Sequence, residues 1–237
     1  MIGPIAAVDV GGTFIDVVLT DPTSGRTGIA KVLHRTGDQG NDILAALRTL
    51  ASNMQIDASA IESVVVGTTV VTNALLEGRL ARTALLTTEG FRDVLEIARM
   101  TRASSYDLHK RRAPVVSPRE LRLEVPERIG PRGETIRPLD LAAVRERIAG
   151  LKESGVEAVA VSLLFSFVNS ENERAVGAEL AHLGLPVSLS SDVLPVFREY
   201  ERTSTTVLNA ATMPVMGQFL DGLANLRSGS TRVYVMG

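Results

Sequence analysis

The chain has 237 residues, of which 45% are hydrophobic and 22% are charged, and this composition is typical of a globular protein with one large or two small domains. Its 25 basic and 27 acidic residues give a formal net charge of −2, so no overall field attracts nucleic acid or anionic membrane. The sequence contains no cysteine, which excludes disulfides, thiol nucleophiles and cysteine-bound zinc and fits a reducing compartment.

Two stretches of the chain, one apolar and one uncharged, lack the features of targeting or membrane segments. The N-terminal apolar run is interrupted by Asp9, and no basic residue precedes Arg26, so it does not have the layout of a signal peptide. Residues 203–220 are uncharged, but their threonine, serine, asparagine and glutamine side chains make them too polar to span a bilayer. The sequence therefore predicts a cytoplasmic protein that binds neither nucleic acid nor membrane.

An acidic, glycine-rich turn near the N-terminus is the strongest functional signal. The motif DVGGTFID, which begins at Asp9, follows one apolar run and leads into another. Gly11 and Gly12 favour a tight hairpin turn, because glycine reaches positive φ without a steric clash. Such a turn exposes backbone N–H groups to phosphate oxygens. Thr13 adds a hydroxyl, and Asp9 and Asp16 supply carboxylates for Mg²⁺. The alternative is an ordinary Gly-Gly hairpin, but the flanking acids and threonine favour a phosphate loop.

The first hundred residues alternate between strand and helix patterns. Turn-forming residues at 21–25 separate two apolar runs, and apolar residues repeat at helical spacing from 43 to 50. The predicted strands are 5–10, 13–20, 28–33, 64–66 and 83–87, and the predicted helices are 42–52, 69–77 and 91–100. A strand meander followed by alternating helices and strands favours an α/β domain built on a mixed sheet.

The pattern lapses between residues 101 and 133, where four prolines and several basic residues interrupt any long helix. Beyond this stretch, Asp140 is the expected N-cap of a helix, and the sequence SENE at residues 170–173 fits a capping box. The remaining predicted elements are strands 121–125 and 135–137 paired as a hairpin, strands 159–167, 187–190 and 232–236, and a helix from about residue 197.

A second candidate anion site lies at Gly67, Thr68 and Thr69, between a short strand and a helix. The first N–H groups of a helix and two threonine hydroxyls favour a phosphate or an oxyanion. The alternative is that Thr68 only caps the helix. Taken together with the phosphate loop, the pattern favours the functional interpretation.

A charged patch, REYER at residues 198–202, opens the last predicted helix. Most such patches are solvated surfaces with weak ion pairs, but the threonines and the asparagine that follow argue against a purely surface helix. We predict that Arg198 and Glu201 contact substrate or a domain interface. The histidines are isolated, lack metal-ligand spacing and are predicted to be structural or on the surface: His34, His109 and His182.

Four separated motifs carry a resemblance to known proteins. DVGGTFID is similar to the first phosphate loop of the actin, sugar-kinase and Hsp70 ATPase superfamily. Three further stretches resemble the hydantoinase A and 5-oxoprolinase family: VGTTVVTNALLE at 66–77, TTEGFRDVLEI at 87–97 and REYERTSTTVLNA at 198–210. The motifs occur in the family's order over essentially the whole chain. One departure is Val66, which stands where many relatives carry histidine.

The resemblance implies a ribonuclease-H-like mixed sheet with helices, half of an actin-like ATPase, plus a second α/β block. It also implies a phosphate-loop region at residues 1–100, an inserted block at 101–190 and the start of a further domain at 191–237. The implied cofactors are ATP and Mg²⁺, with Asp9 as the metal-binding residue. The implied catalytic residues are Asp9, Thr68, Thr69, Arg198 and Glu201, and the implied cofactor-binding residues are Gly11, Gly12, Thr13, Asp16 and Gly67.

Members of this family use ATP to phosphorylate the carbonyl oxygen of a cyclic amide or a ketone. The resemblance therefore implies an ATP-dependent cyclic amide hydrolase of the hydantoinase or 5-oxoprolinase type, with a hydantoinase B-like partner subunit and an oligomeric assembly. The alternatives are an acetone-carboxylase-type subunit, a sugar or small-acid kinase, and a non-catalytic fragment. In the family a second phosphate loop and the adenosine site follow the last strand, so we expect the isolated chain to be incomplete and inactive.

Overall fold

The computed structural model describes residues 3–35, 38–100, 106–107, 109, 115–226 and 231–236. The chain divides into two compact units, one formed by residues 1–79 and 215–237 and the other by residues 80–214. The division at residues 100 and 190 that the resemblance implies stays a prediction. Among the described residues, no helix is both long enough and apolar enough to cross a lipid bilayer.

The strands are β1 (Ile5–Val10), β2 (Phe14–Asp21), β3 (Arg26–Leu33), β4 (Ser63–Thr68), β5 (Thr83–Thr88), β6 (Arg122–Val125), β7 (Arg128–Ile129), β8 (Thr135–Arg137), β9 (Ala158–Ser162), β10 (Val187–Leu189) and β11 (Arg232–Met236). The α-helices are α1 (Gln39–Met54), α2 (Val70–Leu76), α3 (Val94–Ile97), α4 (Leu141–Ile148), α5 (Glu171–Leu180), α6 (Ser190–Val193) and α7 (Glu199–Gly222).

The first unit is built on a five-stranded mixed sheet in the order β11-β4-β1-β2-β3. Strands β1, β2 and β3 form an antiparallel meander, whereas β4 is parallel to β1 and β11 is parallel to β4. The carboxylate of Asp21 holds the β2–β3 turn by accepting hydrogen bonds from the N–H groups of Thr23 and Ser24. The predicted meander is confirmed, and the strand order is that of the ribonuclease-H-like sheet.

One face of this sheet packs against α1 and the last turns of α7. Side chains alternate between the two faces along each strand, so Val8, Ile15 and Val17 are buried in the core. The two helices meet closely: a Cβ added at Gly40 would overlap the carbonyl oxygen of Gly222. Glycine is therefore required where α1 begins against the end of α7.

Gly40→Ala should destabilise the protein, because the added methyl group collides with backbone rather than with a movable side chain. We expect a loss of roughly 1–3 kcal/mol in the free energy of unfolding, measured by urea denaturation. Gly217→Ala in α7 is the matched control, since among the described residues no atom beyond its chain neighbours and the nearby backbone of its own helix lies within 4 Å of the added Cβ. Alanine at that position should stabilise the helix by about 0.5–1 kcal/mol. Equal effects of the two substitutions would contradict the packing argument.

The second unit is built on a parallel four-stranded sheet in the order β10-β9-β5-β6. Strands β5 and β9 are buried along their whole length, as expected for a parallel sheet covered on both faces. Leu86 joins the apolar cluster of α4 and α5, whereas its neighbour Leu85 joins the cluster of α7 on the opposite face. This arrangement confirms the second α/β block.

Two local predictions for this unit were wrong. Strand β6 pairs in parallel with β5, and the hairpin partner of β8 is the short strand β7. The predicted capping box does not form, because Ser170 makes no capping bond and Glu173 is buried. Glu173 instead accepts hydrogen bonds from the N–H groups of Leu163 and Ser191 and from the hydroxyl of Ser190. Its carboxylate thus ties the end of β9 to the start of α6.

Glu127 is a buried carboxyl group just beyond β6. Its oxygens accept hydrogen bonds from the hydroxyl of Thr88 and from Asn172 Nδ2. Burial raises the pKa of Glu127 above its usual value of 4.5. The folded state therefore favours the protonated acid, and the stability that this group contributes is present at low pH and is lost as the pH rises through the raised pKa.

Glu127→Gln should remove this pH dependence, because the amide stays neutral at every pH. Thermal melts between about pH 4 and pH 8 should show the variant gaining stability relative to the parent as the pH rises above 4.5, the usual pKa. Glu153→Gln provides the control, since it makes the same chemical change at an exposed position and should alter the melting temperature little. Parallel profiles for the Glu127 variant and the parent would show that the buried acid does not titrate in this range.

Candidate functional site

The carboxyl end of β1 brings together the residues predicted to bind phosphate and metal. Asp9 lies opposite Asp16 in the antiparallel β1–β2 pair and opposite Gly67 in the parallel β1–β4 pair. A Cβ added at Gly67 would lie 3.9 Å from Asp9 Oδ1, so this carboxylate stands next to bare backbone of β4. The β1–β2 turn begins at Gly11, two residues further along the chain. Both carboxylates and both candidate loops thus share one edge of the sheet.

The two carboxylates differ in their surroundings. Lys31 lies opposite Asp16 on β3, and its Nζ donates to both Asp16 oxygens at 2.6 and 2.8 Å. Asp9 is exposed, and within the described part of the chain no group donates a hydrogen bond to its carboxylate. Like charges that face each other on neighbouring strands repel, and Lys31 offsets this repulsion by pairing with Asp16. Asp9 is therefore the carboxylate of this edge that is open to a cation.

The predicted hairpin turn at Gly11 and Gly12 is confirmed, although neither glycine has the positive φ on which the prediction rested. The turn leaves backbone donors free. Gly11 N donates to Phe14 O at 3.0 Å and closes the turn. Over the residues that the structure describes, the N–H groups of Gly12 and Thr13 have no protein acceptor, and both residues are exposed. A Cβ added at Gly12 would lie 3.5 Å from Asn73 Nδ2, so the turn also adjoins a side-chain amide. These free donors are suited to an anion.

Thr68 and Thr69 begin the segment that follows β4. The Thr68 hydroxyl accepts a hydrogen bond from Val70 N at 3.1 Å, and the Thr69 hydroxyl accepts one from Asn73 Nδ2 at 3.2 Å. Helix α2 starts at Val70, one residue later than predicted, with Thr69 as its N-cap residue. Each hydroxyl acts as an acceptor here and keeps its own proton for another acceptor. A role of these protons toward a bound anion stays a prediction.

Val66 lies on the core face of β4, where it is fully buried. It pairs with the buried Val8, whereas Gly67 and Asp9 occupy the next positions along their strands. Successive side chains of a strand point to opposite faces. The departure from histidine at Val66 therefore alters the core rather than the face that carries Asp9.

Sequence reasoning missed two residues that contact this site, and both come from the end of β3. Lys31 was not singled out, and His34 was predicted to be structural or on the surface. His34 Nδ1 lies 2.8 Å from Gly11 O, and the backbone N–H of His34 donates to Thr13 O at 3.0 Å. Neither contact has a local sequence signal, because both depend on the register between β2 and β3.

The predicted catalytic residues Arg198 and Glu201 belong to the second unit. Arg198 is exposed, and its guanidinium carbon lies 5.5 Å from the centre of the Phe197 ring. Glu201 pairs with Arg99 at 2.6 Å, and the hydrogen bond from Arg99 lowers the pKa of this carboxyl group. Their role toward a substrate stays a prediction.

The buried member of the same charged patch is Arg202, which sequence reasoning did not single out. Its Nη1 donates to Leu163 O and to Ser190 Oγ, each at 2.8 Å, and lies 3.9 Å from Glu173 Oε1. Since a buried guanidinium must be paired and hydrogen-bonded, these contacts hold Arg202 beneath the end of β9. Arg202 thus stabilises the second unit rather than forming part of a solvated surface.

The residues around Asp9 fit a magnesium ion that is bound together with a phosphate ligand. Among the described residues, no three histidine or acidic side chains converge as a complete metal cage. Mg²⁺ does not require one, because it is commonly held by one or two carboxylates while phosphate oxygens and water complete its coordination. The open carboxylate of Asp9 beside the free N–H groups of Gly12 and Thr13 meets that requirement.

The strand order and the glycine turn define the class of the first unit, an α/β unit with a ribonuclease-H-like sheet and a turn resembling a phosphate loop. Residues 5–184 match the family model described as the hydantoinase/oxoprolinase N-terminal region. The chain belongs to the hydantoinase/oxoprolinase family, and the match covers most of its length.

Two relatives and one solved structure show the extent of the similarity. Caprolactamase subunit alpha of Pseudomonas jessenii is 34% identical over 223 residues, which cover 90% of this chain and 32% of the relative. The acetophenone carboxylase gamma subunit of Aromatoleum aromaticum is 34% identical over 223 residues, covering 86% of this chain and 30% of the relative. The crystal structure of ATP-dependent caprolactamase from Pseudomonas jessenii matches with a TM-score of 0.83 and 32% identity, covering 97% of this chain and 35% of that chain. The chain thus spans about a third of the length of these relatives.

Proposed function

We propose that the whole protein uses ATP to activate the carbonyl group of a small cyclic amide, and that this chain supplies the first phosphate-binding turn. The observation that carries the proposal is made within the described part of the chain: the N–H groups of Gly12 and Thr13 have no acceptor there, and the Asp9 carboxylate at the same edge of the sheet has no partner. Family membership supports the use of ATP, since the matched caprolactamase structure is described as ATP-dependent. An amide carbonyl is a poor electrophile, and its phosphorylation creates a good leaving group.

In this proposal the edge of the first sheet holds the phosphates and the metal. The N–H groups of Gly12 and Thr13 bind phosphate oxygens, with Gly11 shaping the turn, and Gly67 leaves room for the ligand to approach. Asp9 holds Mg²⁺ directly or through water. When bound, Mg²⁺ offsets the charge of the phosphate oxygens, which is the main electrostatic requirement of phosphoryl transfer.

The other predicted residues take supporting roles in the proposal. Asp16, neutralised by Lys31, lies next to the metal-binding carboxylate and shapes the field at this edge. Thr68 and Thr69 donate their hydroxyl protons to the transferred phosphate or to the oxyanion of the substrate. Arg198 and Glu201 contact the substrate.

The names of the relatives indicate two classes of substrate. Caprolactamase subunit alpha and the acetophenone carboxylase gamma subunit are equally similar to this chain, at 34% identity each. A cyclic amide and a ketone share the carbonyl group that ATP activates, so a ketone is the second candidate substrate. Since both names denote subunits, we propose a hydantoinase B-like partner subunit in an oligomer, located in the cytoplasm. A sugar or small-acid kinase would not account for the family match over residues 5–184.

Asp9→Asn in the whole protein should lower kcat by roughly 100-fold or more, because an amide is a much weaker ligand for Mg²⁺ than a carboxylate. Asp9 is exposed and makes no internal hydrogen bond among the described residues, so the melting temperature should change by less than about 2 °C. Steady-state ATPase assays and thermal melts measure the two effects. Asp57→Asn, at an exposed turn of the same unit, is the control and should keep its turnover. Near-native turnover of Asp9→Asn would rule out the metal role.

The isolated 237-residue chain should bind Mg-ATP only in the millimolar range and show no turnover above background. It spans about a third of its relatives, and groups held at the wrong distance or orientation lose most of their catalytic effect. Isothermal titration calorimetry and a phosphate-release assay test this expectation. Micromolar affinity together with hydrolysis stimulated by a cyclic amide would instead show that this chain is sufficient for the reaction.

A further inference from the structure

His34 contacts the glycine turn at two points. Its ring Nδ1 lies 2.8 Å from Gly11 O, and its backbone N–H donates to Thr13 O at 3.0 Å. Both acceptors are carbonyl groups of the turn, one at each end of the Gly11–Thr13 segment. The half-buried His34 thus joins the end of β3 to the whole turn.

The hydrogen bonds of the ring define its tautomer. A carbonyl oxygen only accepts, so Nδ1 carries a proton and donates it to Gly11 O. Gln39 Nε2 lies 3.2 Å from the other ring nitrogen, Nε2, and donates to its lone pair. Gln39 is only 4% exposed, and the ring of His34 is the hydrogen-bond partner that its side-chain amide has among the described residues. In this arrangement the ring is the Nδ1–H tautomer.

Anchoring the Gly11 carbonyl also sets the direction of the next N–H group. A peptide unit is planar and trans, so the C=O of Gly11 and the N–H of Gly12 point in opposite directions. The bond to His34 therefore turns the Gly12 N–H away from the ring. Glycine backbone samples more conformations than any other, so without such an anchor the turn would lose its fixed donor direction.

We propose that His34 is a positioning residue for the anion-binding turn. Held in its Nδ1–H tautomer by Gln39, His34 fixes the Gly11 carbonyl so that the Gly12 N–H is presented to a phosphate oxygen. The inference rests on the proposed function, because the direction of this N–H group matters only where an anion binds. Because the turn is already ordered, the binding of phosphate does not include the loss of entropy on ordering two glycines.

The tautomer can be measured directly in the full chain. The sequence contains three histidines, so long-range ¹H–¹⁵N spectra of histidine-labelled protein resolve each ring, and His34→Asn and His182→Asn assign the signals. At about pH 8.5, where an ordinary imidazole is neutral, His34 should show the Nδ1–H form. An Nε2–H form of His34 would overturn the proposal.

A set of variants distinguishes the positioning of the turn by His34 from a general effect of this residue on the fold. His34→Asn keeps an N–H donor near the Nδ1 position, whereas His34→Ala removes it and Gln39→Leu removes the donor that orients the ring. Without ligand, the amide resonances of Gly12 and Thr13 should move in the alanine and leucine variants and stay near the parent values in His34→Asn. Titration with magnesium pyrophosphate should show an affinity loss of about five- to tenfold for His34→Ala and less than about threefold for His34→Asn.

The exposed His182 supplies the control, and His182→Asn should change neither the turn resonances nor the affinity. Equal losses of affinity in His34→Ala and His34→Asn, or a loss in neither, would overturn the proposal. If the parent chain shows no binding of magnesium pyrophosphate even in the millimolar range, the proposed role of this turn in binding phosphate fails. The tautomer and the ligand-free resonances of Gly12 and Thr13 still decide whether His34 anchors the turn.

Discussion

The pairing of β1 with a parallel strand on one side and an antiparallel strand on the other is the constraint on which the candidate site depends. Parallel pairing with β4 brings the carboxyl ends of both strands to one edge and sets Asp9 beside Gly67. Antiparallel pairing with β2 requires the chain to reverse at that same edge, within three residues, through Gly11 and Gly12. A tight reversal leaves N–H groups without ladder partners, so the edge that carries Asp9 also carries the free donors.

Much of the first unit could be predicted because its signals are local. The meander follows from turn chemistry and strand alternation, and Asp140 in the second unit caps its helix as expected by accepting from Ala143 N at 3.0 Å. Features that depend on contacts between residues distant in sequence could not be predicted. The apolar run from residue 159 looks like one long strand, but the strand ends at Ser162 because the N–H of Leu163 bonds to Glu173. Glu173 is also the residue on which the predicted capping box depended.

In the candidate site, too, the sequence predicts local arrangements but not contacts between residues that are distant in sequence. Asp9 and the glycines are adjacent in sequence, and their arrangement follows from one motif. Lys31 and His34 reach the site only through the register between β2 and β3, which places Lys31 opposite Asp16 and the chain after Leu33 beside the turn. In the patch at residues 198–202, charge alone does not distinguish the exposed Arg198 from the buried Arg202, because partners as distant in sequence as Leu163 determine burial.

Stability alone does not account for the edge around Asp9. Glycine within a strand weakens it, yet Gly67 occupies β4 next to the carboxylate. The nearby ammonium group of Lys31 pairs with Asp16, so the Asp9 carboxylate has no internal partner among the described residues. Over the residues that the structure describes, the N–H groups of Gly12 and Thr13 add no internal hydrogen bond. Each feature slightly lowers the stability of the fold at the same place. Together they leave space, a carboxylate and N–H donors open to a ligand. Such local departures from the rules of folding are expected where a protein binds something else.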